Sequence, residues 1–303
     1  MARRKPAPRA RKSTPLRTML KSNLHLLIYT LIHAIFGLYV RLRMAYHAIY
    51  DRLLAVLYYH HRTPDLIRND VKALSRLPEH LSVVLTLHDN GDRDAALEEL
   101  VNDVGELSAW CASAGIPLLS VYERTGILKS YIPQTHTAIT RTLHAYFNPT
   151  PPSLPPSLSI RSPSHPSYSP PPSHPSSPST PPIDADVPAP EAPHLNLLLL
   201  SATDGRNTIV DLTKTLADMS QRGKISPSDI GAELVDAEIS ESVMGEPDLL
   251  VVFGPRVVLE GYPPWQVRLT EIFHVPDNSE GVGYQVFLRA LHRYAKAQMR
   301  FGR

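Results

Sequence analysis

The segment PDLLVVFGPRVVLEGYPPWQVRLTEIF, Pro247 to Phe273, decides the fold. Two short apolar runs lie in it or cross its end, Asp248 to Phe253 (DLLVVF) and Leu269 to Val275 (LTEIFHV), and glycines and prolines separate them. The first run is continuous rather than alternating, so both of its faces must be covered. That pattern belongs to a parallel sheet with helices on each side.

Working outward, the same grammar repeats. Leu81 to Leu87 (LSVVLTL) and Pro117 to Tyr122 (PLLSVY) bracket a stretch with Leu97, Leu100, Val101, Val104, Leu107 and Cys111 at helical spacing, giving a strand-helix-strand unit. His194 to Ser201 (HLNLLLLS) reads as a buried strand, followed by a helix whose inner stripe is Ile209, Leu212, Leu216 and Met219. Ser226-Pro227-Ser228-Asp229 supplies an N-cap, a first-turn proline and an early acid for a further helix with Ile230, Leu234 and Ile239. A last helix, about Gly283 to Met299, turns Tyr284, Phe287, Leu288, Leu291 and Tyr294 toward the body. The predicted class is α/β, with a mostly parallel central sheet flanked by helices.

With 303 residues, 43% of them apolar, the chain can build a sizeable core. Its net charge of +2 is unevenly spread: Arg3, Arg4, Lys5, Arg9, Arg11, Lys12, Arg17 and Lys21 crowd residues 1–21 without an acid among them. Such an arm suits nucleic acid, anionic lipid or a targeting signal, and the adjoining segment decides between them. That segment is the uncharged stretch SNLHLLIYTLIHAIFGLYV, between Lys21 and Arg41, and a helix of its length spans roughly 28 Å, about a hydrocarbon core. A membrane partner is therefore expected, and no nucleic acid. Ala45 to Tyr59 is apolar but carries Asp51 and Arg52, which suits the headgroup region, so residues 22–60 form one span plus an interfacial helix. The positive-inside rule keeps residues 1–21 in the cytosol and sends the rest across, unless the second stretch returns the chain. The one cysteine, Cys111, excludes an intrachain disulfide.

From Asn148 to Pro193 the composition shifts to Pro, Ser and Thr, and such a tract cannot bury enough apolar surface to offset its ordering entropy. It is expected to be a disordered insertion, 148–193, that splits one domain into 61–147 and 194–303.

Pro247-Asp248-Leu249, Gly254, Pro264-Trp265, Arg268-Leu269-Thr270-Glu271 and Arg300-x-Gly302, in this order and spacing, resemble the cis-prenyltransferase family. The likeness is closest to its non-catalytic branch, the Nogo-B-receptor-like subunits of dehydrodolichyl diphosphate synthase. It covers about Pro78 to Tyr131 and His194 to Arg303. Catalytic members carry His-x-x-x-x-Met-Asp-Gly-Asn-Gly-Arg at the first strand. With His80 set on that His, Thr86 takes the place of the metal-binding aspartate, and Leu87, His88 and Asp89 lie over the glycine-rich turn. Asp89-Asn90-Gly91-Asp92-Arg93 echoes the motif three residues late, and a polar turn into the next helix accounts for it better. The Phe-Ser-x-Glu-Asn-x-x-Arg-Pro stretch has become Val121-Tyr122-Glu123-Arg124-Thr125-Gly126-Ile127-Leu128-Lys129. The Arg-rich grip on isopentenyl diphosphate has become Val252-Phe253-Gly254-Pro255-Arg256.

The resemblance thus implies an accessory subunit that makes dehydrodolichyl diphosphate, from farnesyl and isopentenyl diphosphates, only with a catalytic partner, as a heterodimer or higher assembly serving dolichol synthesis and protein glycosylation. In that role Arg300, Phe301 and Gly302 would bind isopentenyl diphosphate in the partner's active site, where Mg²⁺ is also held. An arginine fork suits a diphosphate, and a glycine lets backbone approach it. Trp265 and Arg268 are interface candidates. Glu271 falls where catalytic members place a second metal carboxylate, although a structural hydrogen bond is the simpler role. The implied location is the endoplasmic reticulum membrane with the globular domain facing the cytosol. Two alternatives stay open: a membrane-tethered receptor or scaffold that keeps the fold without prenyl transfer, and an independent synthase using Asp89 or Asp92.

Overall fold

A computed structural model describes residues 15–58, 63–87, 91–147, 155–163, 165–169, 194–254, 256–275 and 281–298. The chain divides into two units, Met1–Leu53 and Leu54–Arg303.

The first unit is dominated by helix α1, Pro15–Tyr58. Its stretch Asn23–Tyr46 is long and apolar enough to cross a membrane: 24 residues extend about 36 Å at 1.5 Å per residue, against a hydrocarbon core of about 30 Å. Leu26, Tyr29, Phe36 and Leu42 are all exposed there, as a lipid-facing helix requires. The stretch expected to lie at the headgroups continues the same helix as far as Tyr58, because no proline and only the single Gly37 interrupts the helical pattern.

The second unit is built on a seven-stranded sheet: β1 (His80–Leu85), β2 (Leu118–Glu123), β3 (Ser157–Ser162), β4 (His165–Tyr168), β5 (His194–Leu200), β6 (Leu249–Val252) and β7 (Glu271–His274). The order is β4-β3-β5-β2-β1-β6-β7, parallel at every junction except β3 with β4. Around it lie α2 (Pro64–Lys72), α3 (Arg93–Ala114), α4 (Ile127–Ser130), α5 (Ile132–Phe147), α6 (Arg206–Gln221), α7 (Ala232–Ser242) and α8 (Tyr284–Lys296). The central strands β1 and β6 are buried end to end, Leu81 beside Leu119 and Leu249, as the continuous apolar runs require.

Side-chain alternation then divides the core. Leu81, Val83, Leu85, Val121, Leu197 and Val251 pack with Ile67 of α2, Leu107 and Trp110 of α3, Leu143 of α5 and Phe287 of α8. Val84, Tyr122, Leu200 and Val252 point the other way and meet Val243, Met244 and Tyr262.

The structureless insertion expected over 148–193 is corrected at its start. Ser157–Ser162 runs parallel to β5, and His165–Tyr168 turns back on it. The Pro-Ser background conceals a period-2 alternation, in which Leu158 and Ile160 face the core while their serine neighbours pair along the sheet. Residues 170–193 lie outside the described residues. A second adjustment concerns Ser226 and Asp229. They close a capping box on a separate 3-10 turn, Pro227–Asp229, and α7 begins only at Ala232.

Candidate functional site

In open parallel sheets, ligands bind beyond the carboxyl ends of the strands, so those ends are where chemistry would sit. After β1 comes Thr86, exposed, in a narrow cleft lined also by Glu99 and Asp103 of α3, Phe253 and Gly254 after β6, and Gly281. The cleft has room for about one water molecule, far less than an isoprenoid diphosphate needs. A divalent cation at the strand end would need a carboxylate where Thr86 offers a hydroxyl. Among the described residues no three carboxylate, His or Cys side chains gather to hold a metal. The described residues at this strand end do not fit that ion. Asp92, one of the two carboxylates on which the independent-synthase alternative relies, caps α3, accepting from the amides of Asp94 and Ala95 at 3.1 Å each. Asp89 lies outside the described residues.

The end of β2 is filled from within. Glu123 is buried, and its carboxylate accepts from the Thr125 amide (2.9 Å) and hydroxyl (2.7 Å) and from the amides of Gly126 (2.8 Å) and Ile127 (3.2 Å). The turn's donors are thus spent on the chain's own anion. Beside it Lys129 pairs with buried Asp204, which also accepts from the Ser201 amide at 2.8 Å. Backbone closes the remaining space. A Cβ on Gly205 would stand 2.2 Å from the Gly261 carbonyl oxygen, so only glycine fits. The Tyr122 hydroxyl donates to the Glu260 carbonyl at 2.6 Å, and burial pushes that phenol up to about 12.

The rest of the Pro247–Phe273 segment is fixed by bonds of its own. Asp248 accepts from the amides of Glu79 (2.9 Å) and His80 (3.0 Å), fixing the start of β1 against β6. Gln266 donates to the Met244 carbonyl, and Thr270 to that of Pro247. Trp265 and Arg268, expected at an interface, are brought together on α7. The indole donates to Asp236 Oδ1 at 2.7 Å, Arg268 reaches the same oxygen at 2.6 Å, and its guanidinium lies 4.4 Å above the indole ring. Those hydrogen bonds, the indole's first, hold the Asp236 carboxyl below the usual carboxylate range. Arg268 stays exposed at the surface, with Glu246 3.8 Å away. Glu271 is half-buried and accepts from Arg293 at 3.4 Å. Arg256 is exposed.

Arg300, Phe301 and Gly302 lie outside the described residues. The ground they depart from is well defined: α8 ends at Lys296, and Arg76, between α2 and β1, holds its last carbonyls. Arg76, Asp236, Glu123 and the Lys129–Asp204 pair are the site residues that the sequence did not disclose. Arg76 meets its partners 218 and 221 residues away, and no local pattern encodes such a pairing.

No family model matches the chain. Individual proteins do. It is 35% identical over 285 residues, 91% of this chain and 73% of the relative, to the dehydrodolichyl diphosphate synthase complex subunit NUS1 of Saccharomyces cerevisiae. To the subunit of the same name in Schizosaccharomyces pombe it is 36% identical over 250 residues, 82% of this chain and 86% of the relative. The human subunit NUS1 shares 26% identity over 236 residues, 78% and 70% of the two chains. Together with the mostly parallel sheet and the apolar amino-terminal helix, these likenesses place the chain in the family of NUS1 subunits of the dehydrodolichyl diphosphate synthase complex, a prenyl transferase assembly.

Proposed function

We propose that the chain is the accessory subunit of a heteromeric cis-prenyltransferase, inactive alone, that elongates farnesyl diphosphate with isopentenyl diphosphate once joined to a catalytic partner. One observation carries this reading: among the described residues the end of β2 is filled by the chain's own Glu123, in the place of a bound anion, and Thr86 stands after β1 where a carboxylate would be needed. A chain that has closed its pocket contributes to another's. Arg300 would supply a fork to the diphosphate of isopentenyl diphosphate, and the backbone around Phe301 and Gly302 would approach the same oxygens. Mg²⁺, held on the partner's carboxylates, would neutralise diphosphate charge there. The exposed Arg268 and the edge of Trp265 would meet the partner. Helix α1 would hold the complex at the endoplasmic reticulum membrane, with the second unit on the cytosolic side where the isoprenoid substrates arise.

The test is co-expression with a catalytic homologue, purification of the complex and assay of prenyl transfer. Arg300→Ala should cost on the order of 100-fold in kcat/KM, as removal of a charged donor aimed at a phosphoryl group does. Gly302→Ala should cost somewhat less. Full activity with either variant removes the proposed tail, and product formation by this chain alone removes the accessory role.

A further inference from the structure

Helix α1 carries two polar rings where a membrane span should be apolar. With the stretch Asn23–Tyr46 centred in a bilayer, its mid-point falls between Ala34 and Ile35. His33 then lies about 2 Å from the centre of the hydrocarbon and Tyr29 about 8 Å, at 1.5 Å per residue. Headgroups stand about 15 Å from that centre, farther than the imidazole can reach. The two rings sit edge to face, centroids 4.3 Å apart, and both residues are exposed. Among the described residues neither the Tyr29 hydroxyl nor the His33 ring has a hydrogen-bond partner, whereas the Thr30 hydroxyl beside them donates back to the Leu26 carbonyl at 2.8 Å. Hydrocarbon offers no water to make good the shortfall. Polar side chains at that depth therefore pair with one another or face another helix.

Gly37 marks the same face independently. At 3.6 residues per turn, Tyr29 and Gly37 each point within about 40° of His33, one turn before it and one turn after. A Cβ added to Gly37 would meet nothing within 4 Å, so the helix itself has no need of glycine there. Glycine weakens a helix relative to alanine, and what it gives in return is room for a second backbone to come close. We infer that the face formed by Tyr29, His33 and Gly37 is a contact between helices, and that a second copy of this chain occupies it. A second copy fits for a geometric reason. Every copy enters the bilayer the same way, so its His33 and Tyr29 arrive at the depth of their counterparts. A neutral imidazole and a phenol each donate and accept, so the face complements itself. Any other helix would need polar groups of its own at that level. The contact rests on the reading of α1 as a membrane span, and it gives the complex two accessory subunits joined within the bilayer.

The experiment takes the full chain in membranes, co-expressed with a catalytic homologue, and reads disulfide cross-linking between copies after oxidation. Val40→Cys, two turns after His33 on the same face, should yield a cross-linked pair of this chain, and Ile35→Cys, on the opposite side, should yield little. Cys111 is buried and common to every variant. In the Val40→Cys chain, His33→Leu and Gly37→Leu should each lower the cross-linked fraction about three- to tenfold, the scale of one interhelical hydrogen bond in lipid, and Tyr29→Phe about threefold. These substitutions make the span more apolar, so insertion is not put at risk, and resistance to alkaline carbonate extraction checks it. Equal cross-linking from Val40→Cys and Ile35→Cys, or an unchanged fraction in His33→Leu, overturns the contact while leaving α1 a span. An adduct of the Val40→Cys chain with the catalytic homologue, in place of a second copy, overturns the choice of occupant. Release of the wild-type chain by carbonate overturns the span and the contact together.

Discussion

The two faces of the sheet are packed by different means. On one face α3 buries half its length, and Trp110, Tyr284 and Phe287 stack ring against ring at 5.4 to 6.0 Å. On the other face lies a smaller cluster threaded with polar groups: Ser82 bonded to Tyr262 at 2.8 Å, and His80 to Ser120 at 2.9 Å. The helices after β5 add little, since α6 buries only Leu216 and α7 only Ile239. Burial of apolar area is what stabilises a domain, so the first face holds the fold together. The second is held by directed hydrogen bonds, which contribute less net stability but fix geometry. A subunit that must present surface to a partner can use that second style, because α6 and α7 are kept in place without being submerged.

The contrast is broken most directly by emptying the first face. Phe287→Ala should destabilise the protein by about 3–5 kcal/mol, the usual cost of deleting a buried aromatic side chain, read as a lowered urea midpoint of the detergent-solubilised chain. A loss no greater than that of a surface change would mean that this face is not the main source of stability. The polar face has its own signature, a dependence on pH. Burial pulls His80 down to about 4, against the opposing pull of Asp248. Between about 6.5 and 4 the unfolded chain takes up a proton that the folded chain refuses, so stability should fall as the pH drops through that window, by about 3 kcal/mol in all. Urea titrations at pH 7 and pH 4 measure the drop, and His80→Gln should remove that share of it. An equal pH slope in wild type and variant would detach His80 from the effect.

The difference between the faces also explains what the sequence disclosed. Continuous apolar runs such as Leu249–Val252 and His194–Leu200 identify central strands because burial on both sides leaves no room for polar alternation. The apolar face was therefore legible. β3 was not: Leu158 and Ile160 are two apolar residues in a Pro-Ser tract, and composition averaged over that tract hides an alternation only six residues long. The α6 stripe was overstated, since Ile209, Leu212 and Met219 have helical spacing yet end half-buried, spacing being a property of the helix and burial one of its neighbours. At the site, Thr86 for a carboxylate could be read by alignment to a motif. The uses of Glu123, Asp236 and Arg76 could not, because each depends on a partner that the fold brings near. Trp265 and Arg268 stood out in the sequence only as interface candidates, and their shared acceptor 29 and 32 residues upstream was not legible there.

Smaller effects sharpen the contrast. Leu216→Ala should cost about 2 kcal/mol, the low end for a buried leucine, because α6 has few neighbours to collapse against or to lose. A cost approaching that of Phe287→Ala would show α6 to be part of the main core. The smallest change in stability is expected from Asp236→Ala, and it is the most informative about the second face. Asp236 is a surface carboxylate that gathers an indole and a guanidinium onto one oxygen, so its removal forfeits little burial while freeing both partners. Trp110, the other tryptophan, is buried and bonded to Tyr146, so a change in emission reports on Trp265. Fluorescence of Asp236→Ala should shift to the red with nearly unchanged thermal unfolding, and salt added to wild type should not reproduce the shift, because the indole bond is not an ion pair. Asp236→Asn, which keeps an acceptor, should restore most of the wild-type spectrum. If Asp236→Ala instead lowers stability as a core deletion does, the clasp is carrying α7 and the second face is held by it alone. If the spectrum does not move, the packing of Trp265 against Arg268 suffices, and the polar face is less dependent on its hydrogen bonds than its geometry suggests.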